Sequence, residues 1–130
     1  MRIAIIGAGC SGLAAIRQLI AIGLHDIVCY EKNSWIGGNW AYDLAPDRSS
    51  ISKHTHTISS KSLSQFSDFS MPEDYPDYPN HAQIFAYFQD YACHFRLEDY
   101  IRFNVAVLRA EKIENERWRL TLDDNSQVEF

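Results

Sequence analysis

The first twelve residues carry the feature that most constrains the fold, a short apolar run followed by three spaced glycines. The run Ile3–Ile6 predicts a strand buried on both faces, as in a parallel sheet. Gly7 would allow a tight turn, Gly9 would let the backbone approach phosphate groups, and Gly12 would let a helix pack closely against the strand. The unpaired N–H groups at the start of that helix favour an anion. The pattern therefore predicts a turn that binds the pyrophosphate of a dinucleotide, formed by consecutive residues: Gly7, Ala8, Gly9, Cys10, Ser11 and Gly12.

An acidic residue follows this turn at the spacing typical of dinucleotide-binding folds. The stretch from His25 to Tyr30 predicts a second strand, and Glu31 ends it, 19 residues after Gly12. A carboxylate at this point would accept hydrogen bonds from a ribose 2′-hydroxyl and would repel a 2′-phosphate. The site is therefore expected to take FAD or NAD rather than a 2′-phosphorylated nucleotide. A glycine-rich turn that binds no ligand is the alternative interpretation.

The residues after Glu31 bear on the choice between a nicotinamide and a flavin dinucleotide. A nicotinamide-binding unit usually continues directly into another helix and strand. Here Gly37 and Gly38 precede Trp40, and about 40 residues without helical periodicity follow. The glycines would let backbone amides approach a second part of a long cofactor such as FAD, although a tight turn that anchors Trp40 in a core is also consistent. Combined with the first motif, the segment favours a flavin, and an NAD-dependent oxidoreductase is the alternative enzyme.

Six motifs along the chain share a further property, a resemblance to one family. They are Gly7-x-Gly9-x-Ser11-Gly12-Leu13, Glu31-Lys32, Gly37-Gly38-Asn39-Trp40, Ser59-Ser60-Lys61, Phe66-Ser67-Asp68-Phe69-x-Met71-Pro72 and Asp74-Tyr75-Pro76-Asp77-Tyr78-Pro79. Together they resemble the N-terminal part of the flavin-containing monooxygenase family, from Arg2 to about Val107. With that resemblance, further residues are expected to bind the cofactor: Lys32, Gly38, Asn39, Trp40 and Thr57.

The resemblance implies an activity. In that family NADPH reduces FAD, which reacts with O₂ to a flavin C4a-hydroperoxide, and one oxygen passes to a soft nitrogen or sulfur nucleophile or to a carbonyl of a small-molecule substrate. The cofactor carries this chemistry, so no catalytic residue is predicted. The family's second glycine motif, which binds NADPH, does not occur within residues 1–130. We therefore expect an incomplete N-terminal FAD-binding domain that is inactive alone, and a non-catalytic FAD-binding fragment is the competing interpretation.

One position departs from the family's pattern. Many members have an asparagine beside the flavin, in a Thr-Asn-x-x-Lys context, whereas here Thr57 is followed by Ile58 and then by Ser59-Ser60-Lys61. Isoleucine has no amide with which to donate a hydrogen bond. This difference puts the family's standard amine-oxygenating activity in question.

The remaining periodicity predicts the fold class. Residues 10–22 have the apolar spacing of a helix, and Asn80 is expected to begin another, with Gln83 completing a capping box. Residues 101–103 predict a third parallel strand, and the period-2 alternation over about 105–130 predicts a β-meander. The expected fold is α/β, a Rossmann-like three-layer FAD-binding fold with a parallel sheet and a C-terminal antiparallel β-meander.

Composition indicates which binding partners and which cellular compartment to expect for this protein. The formal charge of −5 and the pI near 5.4 argue against nucleic acid and an acidic membrane surface as partners. Three cysteines without a C-x-x-C pair are typical of a reduced, cytoplasmic protein, and no apolar run approaches transmembrane length. The pair His54-x-His56 lacks nearby cysteines or carboxylates, so no metal site is predicted. Residues Val128–Phe130 are expected to leave an open strand edge that would allow homodimerisation.

Overall fold

The computed structural model describes residues 1–42 and 50–130 of the chain. Part of the long segment without helical periodicity, residues 43–49, lies outside this range, and a short helix that was not predicted interrupts the remainder. The helices and strands, in chain order, are β1 (Ile3–Ile6), α1 (Cys10–Ala21), β2 (Ile27–Glu31), a 3₁₀ turn (Gly38–Trp40), α2 (Lys61–Ser64), α3 (His81–His94), a second 3₁₀ turn (Leu97–Tyr100), β3 (Ile101–Phe103), β4 (Val107–Lys112), β5 (Trp118–Leu122) and β6 (Gln127–Glu129).

The first sheet is parallel with three strands, as predicted, and the structure gives its order as β1-β2-β3. Ile3 of β1 pairs with Ile27 of β2, and Cys29 of β2 pairs with Ile101 of β3. The predicted burial of β1 on both faces is wrong, because none of its residues is fully buried and Ile6 remains 57% exposed. The reason is that β1 pairs with β2 alone among the described strands, which leaves its other edge open.

Helix α1 connects the first two strands and covers one face of the sheet. It buries Leu13 and Ile16 on the predicted apolar face, which packs into the main core. The helix ends one residue earlier than predicted, with Ile22 as its cap. Gly23 follows with φ +83°, in the left-handed region that glycine adopts without a steric penalty.

Helix α3 packs on the same side of the sheet. The predicted capping box is confirmed: the Asn80 side chain accepts a hydrogen bond from the Gln83 N–H, and the Gln83 side chain accepts one from the Asn80 N–H, each at 3.0 Å. Such a box satisfies two backbone donors that a helix start otherwise leaves unpaired. Apolar side chains of α3 and of its cap residue pack into the main core: Ile84, Phe88, Tyr91 and Phe95.

The second sheet is antiparallel, with the order β4-β5-β6, and confirms the β-meander. Leu120 and Leu122 of β5 form a second core with Tyr30 of β2. The neighbouring Cys29 packs instead into the main core with the helices. Because successive residues of a strand point to opposite faces, the parallel sheet lies between the helices and the meander. The three-layer α/β architecture is therefore confirmed.

The C-terminal strand is an edge strand. β6 pairs with β5 on one side, and Phe130 exchanges two backbone hydrogen bonds of 2.9 Å with Trp118. Val128 and Phe130 are half-buried against the second core. Within the described ranges the outer edge of β6 has no partner strand, and homodimerisation through it stays a prediction. No helix in residues 1–42 or 50–130 is long and apolar enough to cross a membrane.

Candidate functional site

The glycine turn between β1 and α1 has the geometry that its sequence predicts. Gly7 has φ +91°, a conformation that side-chain-bearing residues rarely adopt. A Cβ atom at Gly12 would lie 2.0 Å from the Gly7 carbonyl oxygen, far inside van der Waals contact. Both glycines are therefore required by the fold itself: Gly7 for the turn, and Gly12 for the close approach of α1.

Gly9 differs from these two glycines. Its φ of −81° is open to any residue, and a Cβ there would meet the Cα of Gly38 at 3.7 Å, an ordinary contact. The protein alone would therefore accept a small side chain at this position. What the missing side chain provides is open space over the turn, where a ligand can approach the backbone.

The start of α1 presents unpaired donors. Gly9 is its N-cap and provides no side-chain hydrogen bond, and the first turn contains no acidic residue. The Leu13 N–H is the first to be bonded, to the Gly9 carbonyl at 3.0 Å. In the described part of the chain, the preceding amides of Cys10, Ser11 and Gly12 have no hydrogen-bond partner. Unpaired N–H groups at the positive end of a helix dipole form an anion-binding site.

The second glycine pair lies directly against the first turn. Gly37 has φ +119°, and its N–H donates to the Ala8 carbonyl at 3.0 Å. Gly38 has φ +55°, and a Cβ there would lie 3.2 Å from the Cα of Gly9. Two glycine segments that are distant in sequence therefore form one continuous backbone surface with little side-chain cover.

Glu31 has a structural role that the sequence did not indicate. It is 4% exposed, and its Oε2 accepts a hydrogen bond from the Ala8 N–H while its Oε1 accepts one from the Asn33 N–H, both at 2.8 Å. Through these two hydrogen bonds the carboxylate links the glycine turn to the residues that follow β2. Each carboxylate oxygen can accept more than one hydrogen bond, so the expected contact with a ribose hydroxyl stays a prediction. Neither Ala8 nor Asn33 has a sequence signal that would have revealed these bonds.

Three adjoining clefts form a groove across this surface. The first, here called the glutamate cleft, has a volume of about 270 Å³ and is lined by Ile6, Gly7, Gly9, Tyr30, Glu31, Lys32, Asn33, Gly38, Asn39 and Val105 to Val107. The second, the glycine cleft, is about 340 Å³ and is lined by Ile6, Gly7, Gly9 to Gly12 and Gly37 to Trp40. The third, the apolar cleft, is about 370 Å³ and is lined by Cys10, Trp40, Ile51, Thr55 to Ser59, Ser64, Met71, Ile84 and Phe88.

The clefts follow one another because they share wall residues. Gly9, Gly38 and Asn39 belong to both the glutamate and the glycine cleft. Cys10 and Trp40 belong to both the glycine and the apolar cleft. The groove therefore passes from a carboxylate, over unpaired backbone amides, to an apolar compartment. A separate cavity of about 520 Å³ also has Trp40 in its wall and contains no other predicted site residue.

A wall residue of the apolar cleft, Thr57, has an unsatisfied polar group. The Thr57 Oγ1 is buried and has no hydrogen-bond partner among the described residues, although the Thr57 N–H donates to the Pro79 carbonyl at 3.0 Å. A buried hydroxyl without a partner costs stability unless a ligand or water bonds to it. The adjacent Ile58 is fully exposed at the rim of this cleft. An unbonded hydroxyl in a ligand-sized cleft fits a bound group with hydrogen-bonding atoms.

Cys10 lies where the glycine and apolar clefts meet. A helix N-terminus favours a thiolate, yet burial raises the pKa of the Cys10 thiol above its ordinary value. This direction does not favour a nucleophilic thiolate at Cys10. The raised pKa agrees with Cys10 being part of the cleft wall and not a catalytic residue.

The structure brings almost all the predicted site residues together. Ala8 is the exception, because it is fully buried and acts through its backbone alone. The walls also contain residues that sequence reasoning missed: Asn33, Met71, Ile84, Phe88 and Val105 to Val107.

Outside residues 43–49, no group of three or more His, Cys, Asp or Glu side chains is arranged to hold a metal ion. The binding roles themselves stay predictions.

Comparison with known proteins identifies relatives of this fold and site. The profile of the family described as Flavin-binding monooxygenase-like matches residues 1–122. Flavin-containing monooxygenase 5 of Mus musculus is 41% identical over 113 residues, which are 85% of this chain and 21% of that protein. Dimethylaniline monooxygenase (N-oxide-forming) 2 of Oryctolagus cuniculus is 34% identical, over 97% of this chain and 24% of that protein. The chain thus spans about a quarter or less of these curated relatives.

Solved structures give the same result. The S-allyl-L-cysteine S-oxygenase of Allium sativum superposes with a TM-score of 0.84 and 26% identity, covering 99% of this chain and 34% of the other. An oxidised steroid monooxygenase bound to NADP superposes with a TM-score of 0.79 and 25% identity, covering 98% and 24%. The similarity therefore extends over the whole length of this chain and over a smaller share of each relative.

Proposed function

Because this chain belongs to the flavin-binding monooxygenase-like family, we propose that it forms the FAD-binding part of an NADPH-dependent flavoprotein monooxygenase. The observation that carries the proposal is the continuous groove, in which Glu31, the free amides of α1 and the apolar cleft follow one another. FAD has the matching order of parts: a ribose, a diphosphate and an apolar ring system. The unbonded Thr57 hydroxyl and the open space at Gly9 support the same fit.

Each part of the groove would hold one part of the cofactor. The amides of Cys10, Ser11 and Gly12 would bind the diphosphate, since they are unpaired and lie at the positive end of α1. The Glu31 carboxylate would accept from the ribose on the adenosine side. The apolar cleft would take the isoalloxazine ring, with the Thr57 hydroxyl bonded to one of its polar edges. Lys32, Asn39 and Trp40 would border the cofactor between these contacts.

The residues of this chain would bind and orient the cofactor, while bound FAD would supply the redox and oxygen chemistry. The apolar walls would exclude water from the reacting end of the groove. We assign no catalytic acid, base or nucleophile to this chain. Cys10 lines the groove at that end, and burial raises the pKa of its thiol, which disfavours a nucleophilic thiolate.

The finer activity that we propose is transfer of one oxygen to a soft nitrogen or sulfur atom, or to a carbonyl, of a small-molecule substrate. Relatives named for N-oxide formation and for S-oxygenation support a heteroatom substrate. Ile58 lines the apolar cleft and has no hydrogen-bonding side chain, so the family's standard oxygenation of amines is not part of this proposal. A cytoplasmic location without a nucleic-acid partner is part of the same proposal.

The nicotinamide nucleotide would bind elsewhere. Residues 1–130 contain one dinucleotide motif, from Gly7 to Gly12 with Glu31, and it serves one cofactor. Glu31 also disfavours a 2′-phosphate at this site, so NADPH should not replace FAD there. We propose that the second nucleotide site lies outside these residues.

A titration of the purified protein with FAD, NAD and NADPH tests this function. We expect saturable FAD binding, and the protein should keep its flavin absorbance at about 450 nm after desalting. We expect no measurable NADPH binding to this chain. Binding of NAD in preference to FAD would favour the alternative, an NAD-dependent oxidoreductase. Steady FAD-dependent oxidation of NADPH by these 130 residues would show that a second nucleotide site exists within them, contrary to the proposal.

A further inference from the structure

Lys61 begins the short helix α2, and its ammonium group has an unusual set of partners. The Nζ donates to three backbone carbonyls: Pro72 at 3.2 Å, Glu73 at 2.8 Å and Tyr75 at 2.8 Å. All three belong to the loop that leads to α3. An ammonium group has three N–H donors, so this loop uses all of them. Among the described residues Lys61 forms no ion pair with a carboxylate.

The same loop is attached to the segment around Lys61 by further backbone bonds. The Lys61 N–H donates to the Asp77 carbonyl at 2.7 Å, and the Thr57 N–H donates to the Pro79 carbonyl at 3.0 Å. The Met71 N–H donates to the Gln65 side chain at 3.0 Å. Residues 57–65 and 71–79 therefore form one joined unit, and the Lys61 ammonium contributes three of the hydrogen bonds that join its two segments.

This joined unit supplies walls of the apolar cleft. Thr57, Ile58, Ser59 and Ser64 line the cleft from one segment, and Met71 lines it from the other. Met71 directly precedes Pro72, the first residue whose carbonyl Lys61 holds. None of the residues that line the glutamate or the glycine cleft belongs to either segment. Lys61 is thus connected to one end of the groove and not to the other.

We propose that Lys61 is a positioning residue for the apolar cleft, which holds the walls that receive the flavin ring and does not itself contact the ligand. The proposal rests on the proposed function, in which the groove binds FAD. A lysine near a cofactor is ordinarily suspected of binding phosphate or a developing negative charge. Here its three donors are engaged by carbonyl oxygens, so it stabilises the loop through charge–dipole hydrogen bonds.

The division of the groove provides a selective test. FAD occupies all three clefts, whereas ADP corresponds to its adenosine diphosphate half and would occupy the glutamate and glycine clefts alone. Loss of the Lys61 ammonium should therefore weaken FAD and leave ADP unaffected. A lysine that contacted the diphosphate would instead affect both ligands, with a strong dependence on salt. General destabilisation would also reduce the binding of both ligands.

The experiment is calorimetric titration of wild-type protein, Lys61→Met and Lys53→Met with FAD and with ADP. Methionine keeps the apolar length of lysine and removes the three donors. Lys53 is an exposed lysine that lies in the chain between Ile51 and Thr55, two wall residues of the same cleft. We expect Lys61→Met to raise the Kd for FAD about tenfold and to change the Kd for ADP less than about twofold. We expect Lys53→Met to match the wild type with both ligands.

The outcomes separate the two proposals. An unchanged Kd for FAD in Lys61→Met, or an equal loss with FAD and ADP, would overturn the positioning role while leaving the proposed function intact. Absence of FAD binding by the wild-type protein would overturn the proposed function, and the role of Lys61 with it. ADP binding by the variant also reports that it is folded, so a variant that binds ADP but not FAD supports the proposal.

Discussion

At the glycine turn, the predicted binding groups lie within six consecutive residues, Gly7 to Gly12. The apolar cleft, in contrast, takes its walls from segments spread between Cys10 and Phe88. The turn uses backbone amides whose directions are set by local dihedral angles, so glycine spacing is enough to encode it. The cleft uses side chains that become neighbours through loop packing. The two regions should therefore respond differently to mutation. Single substitutions in the turn should impair ligand binding directly, whereas the cleft should be impaired by substitutions in the residues that hold its walls in place.

The largest effect is expected at Gly12. In Gly12→Ala the new methyl group would lie 2.0 Å from the Gly7 carbonyl oxygen, so the turn or the helix must move. We expect the variant to lose about 3 kcal/mol or more of stability and with it FAD binding. Thermal unfolding followed by circular dichroism measures this. A variant that unfolds at the wild-type temperature would show that the turn is more plastic than its geometry indicates.

Gly9 separates ligand binding from folding in the same turn. Its φ of −81° suits any residue, so Gly9→Ala should change the free energy of unfolding by less than about 1 kcal/mol. Gly9→Val places branched carbons where phosphate oxygens must approach, and we expect at least a hundredfold weaker FAD binding, about 2.7 kcal/mol. Flavin retention after desalting and the unfolding midpoint are the two readouts. Retention of flavin by Gly9→Val would contradict the placement of the diphosphate over this turn.

Glu31 should affect both folding and binding. Gln at this position replaces one carboxylate oxygen with an N–H₂ group, which would face the Ala8 or the Asn33 N–H as a second donor. We expect Glu31→Gln to lose about 1–3 kcal/mol of stability and to bind FAD about tenfold or more weakly. Chemical unfolding and FAD titration measure the two effects. Loss of stability with an unchanged Kd for FAD would show that Glu31 has a structural role only and would contradict the proposed contact with the ribose.

The smallest effect is expected in the apolar cleft, at Thr57. Its Oγ1 has no hydrogen-bond partner in the described residues, so Thr57→Val removes no protein hydrogen bond. We expect the variant without ligand to be as stable as the wild type or more stable by about 1 kcal/mol, with FAD bound about fivefold more weakly. Comparison of unfolding midpoints with and without FAD tests both expectations. Equal FAD affinity in the two proteins would show that the hydroxyl does not contact the cofactor.

Most of the fold could be predicted because its signals are local. The spacing of Gly7 and Gly12, the capping box at Asn80 and the period-2 alternation of the meander each specify a geometry within a few residues. Two features of the fold were not predicted correctly, for different reasons. The burial of β1 was overestimated because strand periodicity does not reveal how many neighbours a strand has. The short helix α2 was missed because a single turn has too little periodicity to be recognised.

The sequence by itself determined the backbone chemistry of this protein: a strand, a glycine turn with unpaired amides, an acid after the second strand, and the family to which these motifs point. Dihedral preferences and short-range hydrogen bonds suffice for such features. Tertiary structure alone decided that Gly38 lies against Gly9, that the Glu31 carboxylate accepts a hydrogen bond from the Ala8 N–H, and that the Lys61 ammonium holds the loop beside the apolar cleft. Those contacts join residues far apart in the chain, and their geometry follows from the packing of whole segments, which no local pattern records.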